Sequence, residues 1–415
     1  MEIKRDLYLN KLIQHKKNGM VKIITGVRRS GKSYLLFRLF RDYLFENGVN
    51  ENHIISLALD DFGNRKLQNP DELYNYVKSR ILDKEDYYIL LDEIQLVPEF
   101  ESVINGFLHI PNADIYVTGS NSKFLSSDII TEFRGRGDEI RVYPLNFSEF
   151  YSVYGGDFDK AWIMYCNYGG MPLCLSRPND SARTRYLTSL FEEVYLKDIV
   201  ERHRIEREDI LSQTLDLICS SIGSLTNPTK ISNTLKTVQQ VSVSQNTIKA
   251  YIGYLEDSYL FSESKRYDVK GKSYFDFPYK YYCEDVGLRN ARVGFRQLEM
   301  THIMENIIYN ELVIRGYQVD VGVVYSRELD KNKNSVRIPR EIDFVINDGS
   351  KRVYIQSAYA METEEKQASE LRPFALTGDS FPKIIIRHDV GKRWYDDKGV
   401  LNIGIIDFLL DDTVV

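Results

Sequence analysis

The chain has 415 residues, 43% hydrophobic and 27% charged, a balance that fits two or three globular domains and excludes a disordered or fibrous protein. A net charge of −6 leaves no overall basic field to attract nucleic acid, so any such contact has to be local. No apolar run approaches the roughly 18 residues that cross a bilayer, and Cys166, Cys174, Cys219 and Cys283 lack zinc-site spacing and read as reduced, buried thiols.

The start of the chain, Met1-Glu-Ile-Lys-Arg-Asp-Leu-Tyr8, mixes charges with apolar residues and has no continuous apolar core of the kind a signal peptide needs. The expected location is the cytoplasm, with no membrane partner. Residues 21–145 then alternate short apolar runs with amphipathic stretches. Segments 21–25, 54–59, 87–91, 114–118 and 139–142 read as strands, and 32–46, 70–82 and 99–109 read as helices. Strand and helix in alternation predict an α/β fold, a parallel sheet with helices on both faces.

The first strand runs directly into Gly26-Val-Arg-Arg-Ser-Gly31-Lys32-Ser33, a complete G-x-x-x-x-G-K-[ST] motif, which a helix carrying Leu35, Leu36, Leu39 and Phe40 follows. The glycines let the backbone curl so that successive N–H groups face phosphates, and the helix N-terminus adds partial positive charge. Gly26, Arg28, Arg29, Ser30, Gly31, Lys32, Ser33 and Tyr34 are therefore expected to line an ATP phosphate site. Lys32 supplies a point charge, and the Ser33 hydroxyl is a Mg²⁺ ligand.

Segment Tyr87-Tyr-Ile-Leu-Leu91-Asp92-Glu93 ends a buried strand in two carboxylates, which is electrostatically awkward without a cation nearby. Asp92 is expected in the Mg²⁺ shell, and Glu93 is expected to polarise a water for attack on the γ-phosphate. On the following strand, Thr118-Gly119-Ser120-Asn121 puts polar residues where parallel sheets bind ligands, so Ser120 or Asn121 is a candidate γ-phosphate sensor. Phe133-Arg134-Gly135-Arg136-Gly137 offers two arginines for transition-state charge, in cis or toward a neighbouring copy; the choice between Arg134 and Arg136 stays open, as does a solvated loop.

From about 205 the pattern turns to short helices. Leu211, Leu215, Ile218 and Ile222 share one face, Ile231, Leu235 and Val238 repeat it after Asn227-Pro228, and a third helix starts near the N-cap Ser244. With an expected hairpin between 260–264 and 273–276, they predict a winged helix. Gln245, Asn246 and Lys249 would face outward, and acidic residues interleave with Lys265, Arg266, Lys270 and Lys272. From 280 onward a long helix (297–314), three strands (317–325, 342–346, 352–356), a polar helix (362–371) and a strand (383–387) predict a further α/β unit. The expected domains are 1–204, 205–275 and 276–415.

Gly26–Ser33, Leu91-Asp-Glu-Ile-Gln95, Thr118-Gly-Ser120, Gly135-Arg136 and Pro144-Leu-Asn-Phe-Ser-Glu-Phe150 resemble the bacterial and archaeal AAA+ ATPases that carry an uncharacterised C-terminal domain. Tyr251–Leu260, Tyr282-Cys-Glu-Asp-Val-Gly-Leu288 and Glu341-Ile-Asp-Phe344 extend that resemblance over nearly the whole chain. It implies Lys32 and Ser33 as phosphate and Mg²⁺ ligands, Asp92 and Glu93 as the Walker B pair, and Ser120 as a sensor-like residue. The implied activity is Mg²⁺-dependent ATP binding and hydrolysis driving a conformational switch, with DNA, a protein or further copies of the chain as partners. A nucleotide-gated signalling protein with little turnover is the alternative, as is a DNA-acting ATPase with residual nuclease activity. The last domain resembles the restriction-endonuclease-like fold, with Asp343 and Glu305 in acidic places; Gln356 and Ala358 stand where a carboxylate and a lysine are needed, which implies a centre without nuclease chemistry.

Overall fold

Five strands lie in the order β2 (Ile54–Ala58), β3 (Tyr87–Asp92), β4 (Ala113–Thr118), β1 (Val21–Thr25) and β5 (Gly137–Arg141), and every pairing among them is parallel. This is a computed structural model, and it describes residues 2–119, 135–296, 298–329, 334–349 and 351–415. Parallel strands must be covered on both faces, and β3 shows how its sequence meets that demand. Tyr87, Ile89 and Leu91 enter one apolar cluster with Leu73, Val77, Ile104 and Phe107. Tyr88 and Leu90 enter the other, with Tyr8, Leu12, Leu36, Phe40 and Leu44. The helices Pro70–Arg80 and Phe100–Phe107 thus cover one face. The helix Asp6–Gln14 and the long helix after the glycine motif cover the other; the latter is α-helical over Lys32–Tyr34, π-helical over Leu35–Phe40 and α-helical again over Arg41–Glu46. The α/β fold expected from the sequence, a parallel sheet with helices on both faces, is the one observed.

By compactness the chain divides into two units, 1–144 with 257–259, and 145–256 with 260–415, rather than at the expected 204 and 275. The reason lies in a buried motif. Asp285 caps the helix Val286–Arg292 by accepting from Leu288 N at 2.9 Å, and also accepts from Gly170 N at 2.7 Å. Asn290 Nδ2 donates to Cys166 O at 2.8 Å, and Gly287 approaches so closely that a Cβ there would lie 2.1 Å from Tyr168 O. The helix Phe158–Tyr168 is thereby tied to residues more than a hundred positions later.

The second unit also contains the helices Glu208–Ser220, Pro228–Val238 and most of Gln245–Asp257, where the sequence placed them; Ser244 Oγ accepts from Thr247 N at 3.1 Å, and Gln245, Asn246 and Lys249 are exposed. The expected hairpin is corrected. β6 (Phe261–Ser264) pairs antiparallel with β9 (Lys280–Cys283), whereas β8 (Ser273–Tyr274) pairs with β7 (Arg266–Asp268). β7 and β8 close one side of an eight-stranded sheet in the order β14 (Trp394–Tyr395), β15 (Leu401–Gly404), β13 (Lys383–Arg387), β12 (Lys351–Ala358), β11 (Ser335–Asp348), β10 (Val319–Leu329), β7, β8. All four cysteines are buried and unbridged. Among the described residues no helix is long and apolar enough to cross a membrane.

Candidate functional site

The turn after β1 needs glycine. Gly26 has φ +125°, and a Cβ there would lie 2.1 Å from Val142 O; Gly31, the residue before the helix, has φ +101°. These are backbone conformations that L side chains rarely adopt, and they curl the loop around the start of the helix. Arg29, at φ +62°, is exposed at its crest. The loop is braced from the first helix: Arg5, only 2% exposed, donates to Ser30 O at 3.0 Å and to Tyr143 O at 2.6 Å, and its guanidinium lies 4.6 Å from the centre of the Tyr8 ring.

Lys32 is buried, and its Nζ donates to the carbonyls of Gly26 and Val27, each at 2.9 Å. Burial pulls its pKa down to about 8; Glu93 and Asp92 act against that shift, and Arg28 adds to it. The ammonium is therefore held at the loop mouth by two carbonyl oxygens, which are weaker partners than phosphate oxygens would be. Asp92 ends β3 and is also buried; burial raises its pKa, while hydrogen bonds from Thr118 and Ser33 oppose the rise. The Thr118 hydroxyl donates to Asp92 Oδ1 and accepts from Glu93 N, the latter at 3.1 Å. Thr118 ends β4, the strand between β3 and β1, so it fixes the acidic pair across from the glycine loop. Glu93 has φ +53°, and its carboxylate accepts from Gln95 Nε2.

The carboxyl edge of the sheet thus brings together Gly26, Gly31, Lys32, Ser33, Asp92 and Glu93, with Arg28, Ser30 and Tyr34 on the same loop and helix start. Two carboxylates and a hydroxyl beside one buried lysine make a hard-oxygen donor set, which fits Mg²⁺. Ser120, Asn121 and Arg134 lie outside the described residues. Arg136 is corrected. Its carbonyl accepts from Val21 N at 2.9 Å, at the entry end of β1, and the whole of β1 separates it from the glycine loop, about 16 Å at strand rise. It is exposed and cannot reach its own chain's phosphate site, so a role for it requires a neighbouring copy. Sequence reasoning passed over Thr118, although it stands at the quoted strand end, and Arg5, which no local pattern marks.

In the second unit, Asp343 and Glu305 meet as expected, around a residue the sequence reading did not single out. Lys280 Nζ, on β9, lies 2.8 Å from Glu305, 2.7 Å from Glu341 and 3.5 Å from Asp343. Tyr282 OH donates to Glu305 at 2.7 Å, and Ser357 N to Asp343 at 2.9 Å. Burial opposes the charge on Lys280, but the carboxylates outweigh it and push its pKa up; burial raises the pKa of Asp343, and the Lys280 ammonium acts against that rise. Gln356 is engaged elsewhere, accepting from Asp343 N at 3.4 Å and donating to Glu370 at 2.9 Å, so β12 offers no carboxylate to a cation here. Lys280→Met is expected to cost about 3–5 kcal/mol of stability, because it strands buried carboxylates. Denaturant unfolding would check this, and a loss under about 1 kcal/mol would show that the cluster is not held by its lysine.

Residues 18–151 match the AAA domain family, and residues 159–299 match a domain of unknown function, DUF8612. An uncharacterized protein of Haemophilus influenzae is 33% identical over 416 residues, 98% of each chain. One from Methanocaldococcus jannaschii is 28% identical over 383 residues, 88% of this chain and 79% of that one. Among solved structures, the ORC1 protein of Aeropyrum pernix in complex with DNA aligns with 71% of this chain and 93% of its own at 13% identity and a TM-score of 0.28. AMPPCP-bound DnaA from Aquifex aeolicus aligns with 60% of this chain and 85% of its own at 14% identity and a TM-score of 0.31. Overlaps this low say nothing about what the chain does.

Proposed function

We infer a function from a plain premise: the chain belongs to the family of AAA+ P-loop proteins with an uncharacterised C-terminal region that the Haemophilus relative represents. The reading the geometry supports best is Mg²⁺-dependent binding and hydrolysis of ATP, used as a conformational switch whose C-terminal unit engages a partner. The observation that carries it is the convergence of the Lys32 ammonium with the Ser33 hydroxyl and the Asp92 and Glu93 carboxylates at one end of β1, β3 and β4.

Each residue then has a defined task. The N–H groups of the curled loop and the helix start hold the β-phosphate, and Lys32 exchanges its two carbonyl partners for phosphate oxygens. Ser33 and Asp92 would hold Mg²⁺, which when bound neutralises charge shared between the β- and γ-phosphates. Glu93 orients a water in line with the γ-phosphorus and takes its proton as the new P–O bond forms and the bond to the departing ADP breaks. Thr118 keeps Asp92 and Glu93 in register.

The lowered pKa of Lys32 predicts a pH dependence. In the free protein the ammonium has lost its proton in half of the molecules near pH 8, whereas a bound triphosphate keeps it charged. Binding then takes up protons above about pH 8, and affinity falls by up to about tenfold per pH unit. Titration calorimetry in buffers of different ionisation enthalpy reads both effects; affinity that stays flat between about pH 7 and 9.5 would contradict this state of Lys32. The reading as a whole is tested by phosphate release from purified protein with Mg²⁺ and ATP.

A further inference from the structure

Most of β10 and β11 belongs to the eight-stranded sheet, but their joined ends do not. β10 pairs with β7 only over Val321–Val323, and β11 pairs with β12 only over Phe344–Asp348. Among the described residues, 325–329 and 335–339 pair only with each other, so the two strands continue as a two-stranded ribbon. Its faces differ in charge. On one, Glu328 Oε1 receives Arg340 Nη2 at 2.5 Å and Arg372 Nη2 at 2.7 Å, so its charge is met within the fold. On the other, the register sets Arg327 directly opposite Arg337, with Tyr325 opposite Pro339. Both arginines are exposed, and neither has an ion pair among the described residues; the Arg337 guanidinium lies 3.6 Å from the centre of the Tyr325 ring.

Like charges opposed across a ladder destabilise it, and the stacking of Arg337 on Tyr325 leaves both positive charges without a counter-charge among the described residues. An anion laid across both would remove the conflict. Arginine suits phosphate because its planar fork binds two oxygens at once. A two-stranded ribbon is also the right width for the major groove of duplex DNA, about 12 Å, with a phosphate row on either side. An anionic membrane gains only about 1 kcal/mol per basic residue, and two exposed arginines fall short of the clusters that hold a protein there. We propose that this ribbon is a docking surface for duplex DNA, with Arg327 and Arg337 gripping its phosphate backbone. This rests on the reading that the C-terminal unit engages a partner, and it names both that partner and the surface.

The test is fluorescence anisotropy of a labelled short duplex with the full-length protein, wild type against the Arg327→Ala/Arg337→Ala double variant, between about 50 and 200 mM salt. The wild type is expected to bind, with affinity falling as salt rises. The double variant is expected to bind at least about tenfold more weakly at low salt, with a salt slope shallower by about two, and Arg327→Lys/Arg337→Lys is expected to recover that slope. Unchanged affinity and slope in the alanine variant would overturn the proposal. So would a wild type that ignores the duplex, including one that instead binds phosphatidylserine vesicles through these arginines. Phosphate release without DNA is measured on the same preparations and is expected to be equal in all three. Arginine-dependent DNA binding without phosphate release in any of them would sink the hydrolytic reading and leave the docking surface standing.

Discussion

Lys32→Ala protein is expected to fold and to lose nucleotide binding. The ammonium is buried at the loop mouth, and it makes two hydrogen bonds to loop carbonyls that phosphate oxygens would replace. Hydrogen bonds to a charged group are worth about 1.5–3 kcal/mol each, so losing two removes about 3 kcal/mol or more, over a hundredfold in affinity. The fold should not suffer in proportion, because burying this charge already works against it, as its depressed pKa shows. Stability equal to or above that of the wild type, with no detectable fluorescent-nucleotide binding, is the expected pair of results. Near-wild-type affinity would remove Lys32 from the site.

The complementary substitution separates binding from chemistry. Glu93→Gln keeps the size and hydrogen-bonding reach of the side chain but removes the base. Affinity for ATP is expected to stay within a few-fold, whereas turnover should fall by about 10²–10⁴, the usual contribution of a positioned general base. Rapid filtration of bound ATP beside a phosphate-release assay gives both quantities on one preparation. Robust turnover in the variant would assign the water-activating role elsewhere. The nucleotide-gated alternative differs at the wild type, which would hold ATP and release almost no phosphate even before substitution.

The contrast between the two units explains what could be read from the chain. The glycine loop was legible because its chemistry is local: Gly26, Gly31, Lys32 and Ser33 fall within eight consecutive residues, and the positive φ angles of the two glycines are what those residue types permit. The strands of the first sheet were legible because burial on both faces leaves continuous apolar runs such as Tyr87–Leu91. Thr118 and Arg5 were not, because their partners lie 26 and 25 residues away, and only the assembled sheet brings them to the site. The same reason hid Lys280, whose carboxylates come from a helix and from β11. It also explains the misplaced hairpin: alternation identified Phe261–Ser264 as a strand but carried no information on whether its partner was Ser273–Tyr274 or Lys280–Cys283. Arg136 was drawn in by its neighbourhood in sequence, and strand direction put it at the wrong end of the sheet.

The most direct test of the central claim is a calorimetric titration of ATP into the wild-type protein in magnesium buffer near pH 7, repeated after magnesium is chelated. A site in which Lys32 faces phosphate while Ser33 and Asp92 hold the cation predicts saturable uptake that weakens sharply when magnesium is removed. No heat of binding from well-folded protein, or binding that is indifferent to both magnesium and the Lys32→Ala substitution, would contradict it.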